Sequence, residues 1–231
     1  MSEPLVLLPG MMCDARLYGP QIDAFSHERP VMVAPFGLHE KVREIATDVL
    51  AHAPPRFALA GLSMGGIVAM EVIRQAPERV TRLALLDTNP KAEAPEIAAR
   101  REPQMDKVRK GGLRAVMRDE MKPNYLTDGP NTGAILDLCM AMAETIGPEA
   151  FIAQSRALQS RPDQQETLKR VTVPTLILCG EDDALCPLHR HTLMHDLIPG
   201  STLTVIKGAG HLPTLEQPDA TNEALAAWLT R

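Results

Sequence analysis

Ser63 is the residue of this chain best placed by its neighbours to do chemistry, in the hexapeptide Gly61-Leu62-Ser63-Met64-Gly65-Gly66. A serine on a sharp turn between a strand and a helix, flanked by glycines, is a nucleophile elbow, which exposes the hydroxyl to a substrate. The turn strains the serine backbone, and side chains at Gly61 and Gly65 would collide with the adjoining strand and helix. The helix that follows points its unpaired amides at the serine, where a carbonyl oxygen would gather charge. The chemistry implied is nucleophilic attack on an acyl carbon. The bland alternative is an ordinary strand-to-helix loop with Ser63 as the helix cap.

Such a turn needs a strand before it and a helix after it. Arg56-Phe57-Ala58-Leu59-Ala60 is short, apolar and strand-like, and residues 67–73 place apolar side chains at helical spacing. The strand candidates in all are residues 5–8, 31–34, 57–60, 83–86, 175–179 and 203–206. Between them, Val42, Ile45, Ala46, Val49 and Leu50 form one apolar stripe, and Ala220, Ala224, Leu225, Ala227 and Trp228 mark a last helix. Strands apolar on both faces that alternate with helices predict a parallel sheet covered on both sides. Between Asp87 and Pro174 the rhythm breaks: no convincing strand occurs, and residues 97–108, 113–121, 135–146 and 151–158 are helix candidates. A loop of that length is seldom structureless. The expectation is a core of residues 1–89 and 170–231, with residues 90–169 inserted as a helical cap that excludes water and shapes a pocket.

The 231 residues suffice for one sizeable core plus an insertion. A net charge of −5 gives no reason to expect nucleic acid or an anionic membrane surface as a partner. The N-terminal apolar run lacks a basic flank and is bounded by prolines, so a cytoplasmic address is the default expectation. Cys13, Cys139, Cys179 and Cys186 contain no C-x-x-C pair and are expected as free thiols. His189, His191 and His195 lack any completing metal motif and are expected to form a solvated helix face, so no metal is assigned.

Three motifs in order make the chain resemble the α/β-hydrolase superfamily over nearly its whole length, and within it small bacterial esterases and enol-lactonases. They are GLSMGG around Ser63, Gly180-Glu181-Asp182-Asp183-Ala184-Leu185-Cys186-Pro187 after an apolar strand, and Gly208-Ala209-Gly210-His211-Leu212-Pro213 after the last strand. The resemblance implies Asp183 as acid and His211 as base, with no cofactor. It places one oxyanion-binding amide at Met64 and the other at Met11, with Met12 as the fallback, in a first loop where Pro9 replaces the usual histidine. How that loop is braced is left open. The resemblance also implies about six strands without the superfamily's opening hairpin, and Asp87 as an alternative acid whose other role would be to cap the entry to the inserted helices.

A serine hydroxyl needs an imidazole to take its proton, and the imidazole needs a carboxylate to hold its tautomer. The resemblance therefore implies a carboxylic ester hydrolase acting on a small molecule through an acyl-serine. Lactones, thioesters or carbon–carbon bonds could be cleaved by the same machinery, and a non-catalytic ligand-binding protein on the same fold is the competing class. Aromatic residues are 3% of the chain, which disfavours an aromatic cage. Arg100, Arg101, Lys107, Arg109, Lys110 and Arg114 could hold a carboxylate or a coenzyme A tail, or simply form a solvated helix face, which is the expectation adopted here.

Overall fold

A computed structural model describes residues 2–231. Its elements run β1 (Leu5–Leu8), α1 (Gly19–Phe25), β2 (Val31–Val33), α2 (Val42–His52), β3 (Phe57–Leu62), α3 (Met64–Gln75) and β4 (Val80–Leu86), then the helices α4 (Pro95–Arg109), α5 (Leu113–Val116), α6 (Thr132–Ile146), α7 (Pro148–Gln159) and α8 (Gln165–Leu168), and finally β5 (Thr175–Gly180), α9 (Leu188–Leu197), β6 (Thr202–Ile206), α10 (Pro213–Glu216) and α11 (Pro218–Leu229). All six expected strands form. They make one parallel sheet in the order β2-β1-β3-β4-β5-β6. The long interval after β4 is entirely helical and irregular until β5 begins.

The two-residue period of the strands sorts their side chains into two cores. Val6, Leu8, Leu59, Leu83, Leu85 and Ile177 meet the buried stripes of α2 and α3 on one face. Leu5, Leu7, Ala58, Ala60, Leu86 and Leu178 meet α1, α6 and α11 on the other. Each buried aliphatic side chain contributes about 1.5–3 kcal/mol relative to leaving it exposed. The helices between β4 and β5 draw on the same cores: Met105, Val108, Phe151 and Leu158 join the first cluster, and Ile135, Cys139 and Met142 the second.

The strand order reverses between β1 and β3, since β1 connects outward to β2 while β3 lies on its other side. The carboxyl ends of strands flanking such a reversal open a crevice, because the connections on either side leave to opposite faces. The loop holding Met11 leaves β1 there, and the turn holding Ser63 leaves β3 there.

Glycine is obligatory at the turn. A Cβ on Gly65 would lie 1.9 Å from the Leu8 carbonyl oxygen, and one on Gly61 would lie 2.2 Å from the Gly65 carbonyl oxygen. Both obstacles are backbone and cannot rotate away. Gly65→Val is therefore expected to cost more than about 4 kcal/mol and to leave little soluble folded protein, read by expression yield and thermal melting.

Candidate active site

Ser63 sits at φ +56° and ψ −116°, a conformation that costs a non-glycine residue about 1–3 kcal/mol and that its surroundings must enforce. They do so from β4. The Ser63 N–H donates to the Leu86 carbonyl at 2.9 Å, and the Thr88 hydroxyl donates to the Ser63 carbonyl at 2.7 Å. The Ser63 hydroxyl is thereby aimed at His211, whose Nε2 lies 2.9 Å from it. His211 Nδ1 lies 2.9 Å from Asp183 Oδ2, and both side chains are almost wholly buried. Three residues from three loops, after β3, β5 and β6, thus form one continuous hydrogen-bond chain.

The other Asp183 oxygen, Oδ1, accepts the amides of Leu185 at 2.8 Å and Cys186 at 2.9 Å. Burial opposes ionisation of Asp183, but the hydrogen bond and charge of His211 and the Cys186 amide outweigh it and hold the carboxyl at about 2. The His211 loop is fixed by residues that no motif announced. The Tyr125 carbonyl accepts the His211 amide at 2.7 Å, and the Glu216 carboxylate accepts the amides of Gly210 and Leu212 at 3.0 Å each. Asp183, Cys186 and His211 bring potential metal-binding atoms within 4.8 Å of one another. Their geometry fits the hydrogen-bond chain instead, because both imidazole nitrogens and both carboxylate oxygens already have protein partners.

Asp87, the alternative acid, is fully buried but does not reach the histidine. Its Oδ1 accepts the Gly180 amide at 2.8 Å, and its Oδ2 has no other partner among the described residues. Burial, with the Asp183 charge second, pushes its carboxyl well above the usual range. Two adjoining buried carboxyls cannot both ionise, so Asp87 keeps its proton while Asp183 carries the charge. It does not cap the entry to the inserted helices, as the sequence led us to expect. His191 likewise departs from expectation: it is buried rather than solvated. Its Nε2 accepts the Thr88 amide at 3.2 Å, and burial lowers its pKa to about 4.

The loop after β1 carries its own brace in place of a histidine. The Tyr18 hydroxyl donates to the Leu8 carbonyl at 2.8 Å, and the Met12 amide donates to Gln154 Oε1 at 2.8 Å. Met12, at φ +57°, is therefore not a free donor. The Met11 amide has no partner among the described residues, and Met64 supplies the first, unpaired amide of α3. Gln154 lies 142 residues from Met12 in sequence, so no local pattern could have pointed to it.

An α/β sheet with this strand order, and a serine, histidine and acid carried by loops at one sheet end, define the α/β-hydrolase class. The alpha/beta hydrolase family model matches residues 5–224, and the chain belongs to that family. It is 30% identical to a pimeloyl-[acyl-carrier protein] methyl ester esterase of Klebsiella pneumoniae, with 81% of this chain and 75% of that protein covered. It is 27% identical to 3-oxoadipate enol-lactonase 2 of Acinetobacter baylyi, covering 83% and 72% respectively. Among solved structures, a thermophilic esterase from Thermogutta terrifontis superposes with a TM-score of 0.91 at 27% identity, covering 100% of this chain and 90% of that one. Among the described residues, no helix is long and apolar enough to cross a membrane.

The two aspartates impose opposite pH dependences on stability. Asp183, depressed to about 2, contributes stability that is present above its unfolded value of 3.8 and lost as pH falls through 2. Asp87, raised, contributes stability that is full below 3.8 and lost as pH rises toward its folded value. Asp87→Asn keeps an acceptor for Gly180 without a titrating proton. Its melting temperature is expected to match or exceed wild type at neutral pH, with the difference growing as pH rises above 3.8. Asp87→Ala, which orphans the Gly180 amide, should instead lose about 1–3 kcal/mol.

Proposed function

We propose that this chain is a serine hydrolase that cleaves carboxylic esters through an acyl-enzyme, with Ser63, His211 and Asp183 as its triad. The observation that carries this reading is the unbroken chain from Ser63 Oγ through the His211 imidazole to the Asp183 carboxylate, ending beside two unpaired amides. Ser63 Oγ attacks the ester carbonyl carbon as its proton passes to His211 Nε2. The carbonyl oxygen becomes an oxyanion, met by the amides of Met11 and Met64. Asp183 holds the Nδ1–H tautomer and stabilises the imidazolium. The intermediate then expels the alcohol, which takes the proton from His211 and leaves acyl-Ser63. Water, deprotonated by the same imidazole, attacks the acyl carbon; the acid departs and Ser63 regains its proton.

Three features support the reading further. The relatives named above are a methyl ester esterase, an enol-lactonase and an esterase, all names for hydrolysis at an acyl carbon. Residues 90–169 act as a cap in this proposal. Met121, Tyr125, Leu158 and Arg161 from that segment line the same cavity as Ser63 and His211, whose volume is about 700 Å³. A ligand-binding protein without turnover would gain nothing from an imidazole held in one tautomer against a strained serine.

Ser63→Ala should fold normally and lose roughly 10⁴-fold or more in hydrolysis of a short p-nitrophenyl ester, together with labelling by a fluorophosphonate probe. Retention of a tenth of wild-type activity would remove Ser63 from the role. Asp183→Asn, checked for folding by circular dichroism, should lose on the order of 10⁴-fold, whereas Asp87→Asn should stay within about threefold of wild type. The reverse ranking would transfer the acid role to Asp87. Gln154→Ala frees the Met12 amide and loosens the oxyanion loop; it should lower kcat about tenfold with little change in KM, read by steady-state kinetics.

A further inference from the structure

The cavity is charged in the opposite sense to the chain. The protein carries a net charge of −5, yet Lys91, Arg100, Arg101, Arg161 and Arg190 line the cavity with a single carboxylate, Glu93. The Glu93 side chain is only 2% exposed and is shared by two arginines. Arg101 grips it through Nε and, at 3.1 Å, through Nη2; Arg161 reaches it through Nη1 at 2.7 Å. These guanidinium side chains are themselves 13% and 10% exposed.

One carboxylate cannot neutralise two guanidiniums, so a positive charge is left over where water screens it poorly. A desolvated charge without a counter-ion is costly, and a fold built around one holds it ready for an anion. Donors remain to receive that anion. Arg161 Nε is used by the Lys91 carbonyl at 3.0 Å, but its Nη2 has no hydrogen bond among the described residues. Arg101 Nη1 meets only the Met11 sulfur, at 3.8 Å, a weak acceptor. That sulfur belongs to the residue whose amide stands beside Ser63, so the spare donors and the proposed nucleophile share one space. The other basic residues of this segment behave differently. Lys107, Arg109 and Arg114 pair with Glu120, Asp106 and Glu144 on exposed surface.

We propose that the cavity selects esters that carry a free carboxylate, held by Arg101 and Arg161 while the ester carbonyl lies at Ser63. A guanidinium fork matches the two oxygens of a carboxylate, which a lysine could not do with the same geometry. A half-ester of a dicarboxylic acid has this chemistry, and its hydrolysis releases a dicarboxylate and an alcohol. The proposal rests on the ester-hydrolase reading for the chemistry but on the arginine pair alone for the binding.

Binding is tested in the Ser63→Ala background by calorimetry, which needs no turnover. The probes are monomethyl succinate, adipate and suberate against the corresponding dimethyl esters, at low and high salt. The best half-ester should bind at least about tenfold more tightly than its diester, and salt should shrink that preference. Adding Arg161→Gln or Arg101→Gln should bring the preference to within about threefold; either substitution leaves Glu93 with one arginine, so both variants are expected to fold. Equal binding of half-ester and diester would overturn the proposal, as would a preference unchanged in both folded arginine variants. Arginine-dependent binding of butyryl coenzyme A without binding of any half-ester would overturn it in favour of phosphate as the anion. The companion readout is wild-type kcat/KM on the same pairs. Hydrolysis of neither ester, with arginine-dependent half-ester binding intact, would sink the hydrolase reading and leave the anion site standing. Equal hydrolysis and equal binding of both esters would do the reverse.

Discussion

The close approach of α3 to the ends of β1 and β3 is the constraint from which the site follows. Gly65 brings the first turn of the helix onto the Leu8 and Pro9 carbonyls, and Gly61 lets the strand pass beneath it. At that separation Ser63 takes a positive φ of 56°, and its hydroxyl meets His211 Nε2 at the sheet end. The same packing sets the first amide of α3 opposite the loop that leaves β1. The position of the Ser63 hydroxyl and the position of the two free amides are therefore one geometric fact. The strain at Ser63 is distributed into β4, through Leu86 and Thr88, rather than borne by the turn alone.

Electrostatics behind the serine depends on a division of labour between two aspartates. Each ends or follows a neighbouring strand, and each is buried. Asp183 accepts two amides and faces an imidazole, which together favour its charged form. Asp87 accepts one amide and faces another carboxylate, so it is more stable neutral. The proton held by Asp87 removes the like-charge conflict that two buried carboxylates would otherwise create. Chemically identical residues acquire opposite protonation states because one has an imidazole and two amides for neighbours and the other a single amide beside a carboxylate.

The helices between β4 and β5 do more than cover the sheet. Gln154 ties up the Met12 amide, Tyr125 accepts the His211 amide, and Arg101 and Arg161 give the cavity its sign. Because Met105, Phe151 and Met142 are buried with side chains from the sheet, these contacts rest on the common core rather than on a loosely hinged flap. Family membership fixes the sheet and the elbow. Residues 90–169 contribute more than two-fifths of the cavity's wall residues.

The sequence by itself determined the sheet, because six apolar runs separated by amphipathic stretches leave few alternatives once β-strand and helix periods are recognised. It also determined Ser63, whose neighbouring glycines and flanking elements are local and therefore visible, and it pointed through short motifs to Asp183 and His211. What it left open were interactions between distant residues. Whether Asp87 or Asp183 meets His211 depends on which strand-end loop leans toward β6, a matter of packing. The bracing of the β1 loop by Gln154 follows from where α7 docks. Basic residues 100, 101, 107, 109 and 114 look alike in sequence as a charged helical run; only the tertiary structure separates those turned to the cavity from those paired on the surface. Local geometry is written in neighbouring residues, whereas protonation states and cavity charge arise from sums over groups that only folding brings together.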